Sequence, residues 1–126
     1  MLKLRTYQIG TPRKRGEGLR IGTVRYLPRG VRKQDYARRD YFDVWFPAAA
    51  PSRELVSWLR ADVDKRWERF VGRYRNEMKR AEARQAIKLL AEVAKHTPIS
   101  IGCYCTDEHH CHRSILRKLI EEAAEE

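Results

Sequence analysis

The hydrophobic period of the chain changes twice between Glu82 and Ala123, and few folds accept that order. Ala86, Ile87, Leu90, Val93 and Ala94 recur at helical spacing and predict a helix over about 82–95, which Thr97-Pro98 must end. Ile99, Ile101 and Cys103 then alternate with Ser100, Gly102 and Tyr104, the period of a strand. After a polar loop at 106–110, helical spacing returns with Ile115, Leu116, Leu119, Ile120 and Ala123, so a last helix starts at about Cys111 or His112. Helix, strand, loop and helix, preceded by further strands, pack as layers. The expected fold class is therefore α/β: one domain over 1–126, a mainly parallel sheet flanked by helices, with the last strand, loop and helix carrying a Cys/His/Arg motif.

The rest of the chain supplies the other layers. Leu2, Leu4 and Thr6 alternate with Lys3, Arg5 and Tyr7 as a first, half-buried strand. Residues 10–18 (GTPRKRGEG) are a loop, Leu19 to Leu27 reads as a second strand, and Tyr41 to Phe46 as a short aromatic one closed by Pro47. Ser52 is placed to cap a short helix containing Leu55, Val56 and Leu59. Asp62 is placed to cap a second helix, where Val63, Trp67, Phe70, Val71, Tyr74 and Met78 form one core-facing stripe and the arginines form the solvated face.

Of the 27 Lys and Arg against 17 Asp and Glu, residues 1–39 hold 12 basic and 2 acidic side chains, so the whole net charge of +10 lies in the first third. That asymmetry fits a polyanion partner, either nucleic acid or a nucleotide phosphate. It also fits a heat-adapted surface, since the chain has one Asn and three Gln. No apolar run approaches the roughly 18–20 residues that span a bilayer, and no signal-like segment follows Met1. The expectation is a cytoplasmic protein with no membrane partner. The sequence does not set its oligomeric state.

All three cysteines fall between Cys103 and Cys111, which suggests a site rather than disulfide staples. The run GCYCTDEHHCHRS crosses from the carboxyl end of a strand to the amino end of a helix, where α/β sheets bind ligands and helix amides attract anions. Cys111, His112 and Arg113 are accordingly candidates for catalysis: a thiolate, a general base or acid, and a planar oxyanion clamp. Arg113 and Ser114 are candidates for anion binding. Cys103, Cys105, Cys111 and His110 are candidates for metal or disulfide formation. Cys103, Cys105, Cys111 and His112 together offer four zinc ligands within ten residues, while strand parity lets Cys103 or Cys105 reach Cys111 across the loop. His110-Cys111 with Arg117 has the bare spacing of a tyrosine-phosphatase loop, but lacks the glycines to wrap a phosphate and would raise Arg117 onto the helix. A bland reading of Cys103 also stands, as a small core hydrophobe.

GCYCTDEHHCHRSIL resembles the terminal motif of the YeaO-like family of unknown function, domain of unknown function number 488. Three further stretches carry the resemblance: Arg25-Tyr-Leu-Pro-Arg-Gly30; Ala50-Pro-Ser-x-Glu-Leu55; and Trp67, Phe70, Tyr74 and Glu77 along the following helix. It implies no settled activity. It does imply that Arg25 and Arg29, at the end of the second strand, share the sheet's carboxyl edge with Cys111 and Arg113 and complete an anion pocket. Arg29 serves equally well as a turn residue paired with an acid such as Glu54.

Three functions follow as expectations. The first is a pocket for a phosphate-bearing ligand, a nucleotide or nucleic acid, that the protein binds and in one version acts upon. The second is a non-catalytic nucleic-acid-binding module with structural cysteines. The third is a small zinc-binding domain.

Overall fold

The computed structural model describes residues 2–126. Four strands, β1 (Leu4–Gln8), β2 (Leu19–Gly22), β3 (Val44–Trp45) and β4 (Ile99–Cys103), form a sheet in the order β1-β4-β2-β3. Every pairing is parallel: Leu4 lies opposite Ile99, Leu19 opposite Ile99, and Ile21 opposite Val44. Four helices flank it: α1 (Arg53–Ala61), α2 (Val63–Glu77), α3 (Ala81–His96) and α4 (His112–Ala124). All five residues of β4 are buried, as a parallel strand between two neighbours must be. None of the described helices is long and apolar enough to cross a membrane.

The helix starts follow the sequence signals. Ser52 Oγ accepts the Leu55 amide at 3.2 Å, and Asp62 Oδ1 accepts the Lys65 amide at 3.3 Å. Phe70, Tyr74 and Met78 of the α2 stripe enter the main core with Ile87, Leu90, Ile99, Ile101 and Leu116. Phe70 stacks on both Trp67 and Tyr74, with centroids 5.2 and 5.8 Å away. Gly72 breaks the helix chemistry without breaking its geometry, because a Cβ there would meet nothing within 4 Å. Gly72→Ala should therefore raise stability by about 0.5–1 kcal/mol, measured by denaturant unfolding; a loss would mean the helix surface at that point is covered.

Two strands are shorter than their apolar patterns predict. β2 stops at Gly22 because the next residue leaves the ladder: the Thr23 amide and hydroxyl both donate to the Gly102 carbonyl, and its own carbonyl goes to a histidine ring. β3 keeps only Val44–Trp45, since Phe42 is buried at a turn rather than in the sheet.

Two arginines brace the loops. Arg20 is fully buried, and its five N–H groups reach Glu17 (2.9 and 3.2 Å) and the carbonyls of Thr11 (2.8 Å), Pro12 (3.2 Å) and Asp40 (2.7 Å). Its guanidinium also lies 4.2 Å from the centre of the Tyr7 ring. Arg25 donates to the carbonyls of Pro47, Ala50 and Pro51 at 3.1–3.2 Å. Glu77 accepts both the amide and the hydroxyl of Ser52, at 2.9 and 2.5 Å. Arg25, Ser52 and Glu77 are thus the pins that hold the entry to α1.

Candidate functional site

At the carboxyl ends of β1 and β4, a second, smaller apolar cluster contains Tyr7, Ile9, Val24, Phe42, Cys103 and Cys111. Gly102 lets it close, because a Cβ at that position would collide with the Tyr7 ring. β4 delivers Cys103 to this cluster and the first turn of α4 delivers Cys111 and His112. All three are buried, with their ligand atoms within 4.8 Å of one another. Cys105, exposed on the loop after β4, brings its Sγ to 3.7 Å from that of Cys103. The three cysteines are free thiols.

The three sulfurs differ in how readily they ionise. Cys103 is held well below the usual thiol range by hydrogen bonds from Cys105 and then Cys111, with the Arg113 guanidinium adding a favourable field. Its neighbours move the other way: donation to Cys103 pushes Cys111 far up, and the same interaction raises Cys105. The sequence offers Cys111, at the helix start, as the thiolate; the local hydrogen bonding favours the charged form more at Cys103 than at Cys111.

His112 Nε2 lies 2.5 Å from the Thr23 carbonyl. A carbonyl only accepts, so Nε2 carries the hydrogen and Nδ1 keeps its lone pair. Burial lowers the pKa of this ring to about 4, which leaves it neutral at physiological pH. Arg113 is buried too. Its Nη1 donates to the Cys105 carbonyl at 2.7 Å, whereas its Nε has no partner. It pairs with no carboxylate among the described residues, and its charge favours ionisation of the nearby Cys103 sulfur.

A cavity of about 140 Å³ opens beside these groups. Cys103, Cys105, Cys111 and His112 form its floor, and Arg25, Tyr26, Arg60 and Tyr104 stand among its walls. No side chain caps the first turn of α4.

The sequence-derived candidates divide into two groups. Cys103, Cys105, Cys111, His112 and His110 share the cavity lining, and His110 is anchored to Asp107 at 2.7 Å. Arg25 reaches the cavity wall, but its guanidinium serves three backbone carbonyls. Arg29 is exposed and absent from the lining, and Ser114 turns its hydroxyl back to the Cys111 carbonyl at 2.9 Å. Arg117 stands exposed on α4 beside Glu121, as a helical position implies. Sequence reasoning missed Tyr26 and Arg60, which reach the cavity from segments distant along the chain.

These features define a parallel α/β domain with a buried Cys/Cys/His cluster at the carboxyl edge of its sheet. Residues 4–124 match the family described as the active DUF488-N3 subclade, and the chain belongs to that family, whose function is unknown. No curated protein and no solved structure matches it.

Proposed function

We propose that this is a cytoplasmic protein that binds a phosphate-bearing ligand, a nucleotide or a nucleic-acid segment, in the cavity over Cys103. One observation carries the reading: three thiols and a neutral imidazole line a single opening, and the buried Arg113 guanidinium, outside that lining, is tied to it through the Cys105 carbonyl. Arg113 supplies positive charge from outside the lining, and the first turn of α4, which no side chain caps, supplies amides. Cys103 is the nucleophile candidate, Cys111 and Cys105 its hydrogen-bond donors, and His112 Nδ1 the proton acceptor.

Titration calorimetry with a nucleoside monophosphate, and with inorganic phosphate, tests this. The unaltered protein should bind saturably, and Arg113→Lys and Cys103→Ser should each weaken binding at least about tenfold, because neither replacement keeps both charge and geometry. Binding that neither variant alters would remove the cluster from the account.

A second reading has its own support. A tetrahedral zinc site with Zn–S bonds of about 2.3 Å sets its sulfurs roughly 3.8 Å apart, and the Cys103–Cys105 separation is 3.7 Å. A metal-bound histidine typically donates its other ring N–H to a carbonyl, as His112 does to Thr23. The donor set Cys103, Cys111 and His112, with Cys105 as a fourth, therefore fits zinc chemically. Metal analysis of protein purified without chelator separates the readings: one zinc per chain that disappears in Cys111→Ser favours this one, and its absence favours the ligand pocket.

A further inference from the structure

The basic first third is less available to a polyanion than its charge suggests. Arg20 and Arg25 are occupied internally, Arg13 pairs with Asp43 at 3.0 Å, and Arg32 and Arg38 both pair with Asp35. Five arginines of α1 and α2 differ, although one of them, Arg66, also donates to the Trp58 carbonyl at 2.7 Å. Arg66, Arg69 and Arg73 crowd around the Trp58 ring, with Cζ 5.0, 5.5 and 4.2 Å from its centre. Arg53 and Arg60 lie 5.6 and 5.7 Å from the centre of the Tyr26 ring. Acids are close in sequence, Glu54, Asp62, Asp64 and Glu68, yet among the described residues none of these five arginines forms an ion pair.

Like charges held this close repel one another, and a chain of phosphates relieves that repulsion. The rings add a second kind of recognition. Tyr26 and Tyr104 are both more than a third exposed, and the Tyr104 hydroxyl donates to the Tyr26 carbonyl at 3.0 Å, which sets the two residues side by side at the cavity mouth. Arg60 lines that same mouth. Exposed aromatics beside a run of unpaired guanidinium groups is the chemistry that holds single-stranded nucleic acid, with bases stacked on rings and phosphates on arginines.

We infer that the α1–α2 face is a track for single-stranded nucleic acid, with phosphates on the Trp58 arginines and a base stacked on Tyr26 at the entrance to the cavity. This rests on the ligand reading above and narrows it to a strand rather than a free nucleotide.

Fluorescence anisotropy with a labelled 12-mer of thymidylate, as a function of salt, tests the track. Arg69→Gln/Arg73→Gln should weaken binding at least about tenfold at low salt and flatten the logarithmic salt slope by about 1.4, the share of two phosphates on a single strand. Tyr26→Ala should weaken binding about tenfold with the slope unchanged, since stacking releases no counterions. Lys33→Gln/Lys79→Gln, with the same loss of charge on other surfaces, should have a much smaller effect. Loss equal in the two charge-neutralised pairs, an unchanged slope, or no binding at low salt would overturn the track. So would preference for a duplex of equal length, or equal competition by poly-glutamate, which would assign the face to an acidic protein. If the oligonucleotide fails while a mononucleotide still binds in calorimetry, the track falls and the cavity reading stands.

Discussion

Arg20→Met should cost about 3–5 kcal/mol of folding stability at neutral pH, the largest loss expected from any single substitution considered for this chain. The substitution keeps the apolar volume but strands the Glu17 carboxylate, which is 5% exposed, leaves the carbonyls of Thr11 and Pro12 without their Arg20 donor, and leaves that of Asp40 with the Gly10 amide alone. Burial alone would raise the Glu17 pKa, yet the hydrogen bonds and charge of Arg20, with the Lys14 amide, hold it below the usual range. Against a typical total of about 5–15 kcal/mol, such a loss brings the domain near the edge of folding. Glu17→Met/Arg20→Met should recover part of the loss, because the buried charge then disappears on both sides while the Thr11 and Pro12 carbonyls still lack the Arg20 donor. Urea unfolding of the single and double variants measures both quantities. A single-variant loss under about 1 kcal/mol would mean that water reaches Glu17.

The second large effect is a pH dependence from His112. Its folded pKa is lowered from 6.5 to about 4, so the unfolded chain takes up a proton where the native ring does not. The associated stability is present in full above pH 6.5 and is lost as pH falls towards 4. At 1.36 kcal/mol per unit, about 2 kcal/mol should go between pH 6.5 and 5 and about 3 in all. Glu17 and Asp43, whose carboxyl pKa values are also lowered, lose their contributions mainly below pH 5, and the lowered Cys103 is present in both proteins compared, so the difference between them in the upper window belongs to the imidazole. Unfolding measured in chelator for wild type and His112→Gln, which keeps a donor for the Thr23 carbonyl, isolates it. The gap between the two proteins should shrink by that amount on acidification; a constant gap would show that the ring is already solvated.

Much of this architecture was legible because local chemistry and tertiary packing agree. The caps at Ser52 and Asp62, the α2 stripe and the period changes around β4 each place their element to within a residue or two. Where the sequence overran, at β2 and β3, buried apolar residues sit outside the sheet. Val24 and Phe42 look like strand residues, but they pack under the thiol cluster. Arg25 and Arg20 illustrate a different limit. A guanidinium that binds carbonyls is indistinguishable in sequence from one that awaits an anion, because its partners are backbone atoms that any residue supplies. The convergence of the three cysteines could be anticipated from their spacing. Which sulfur ionises most readily could not, since that depends on neighbours set in place by the loop fold. The mouth of the cavity, from Tyr26 to Arg60, is assembled across the chain and leaves no local signature.

The brevity of β3 has its own consequence. An open parallel sheet ends in rows of unpaired backbone groups that invite another chain to add a strand, and long, flat, apolar edges are where proteins aggregate. Here that margin is two residues, with Val44 and Trp45 each about two-fifths exposed and the Trp45 indole tied back to the Val24 carbonyl at 2.8 Å. So short a ribbon gives an incoming strand little to zip onto along β3, where two apolar side chains can stay in water; the five residues of β1 form the sheet's other, longer edge.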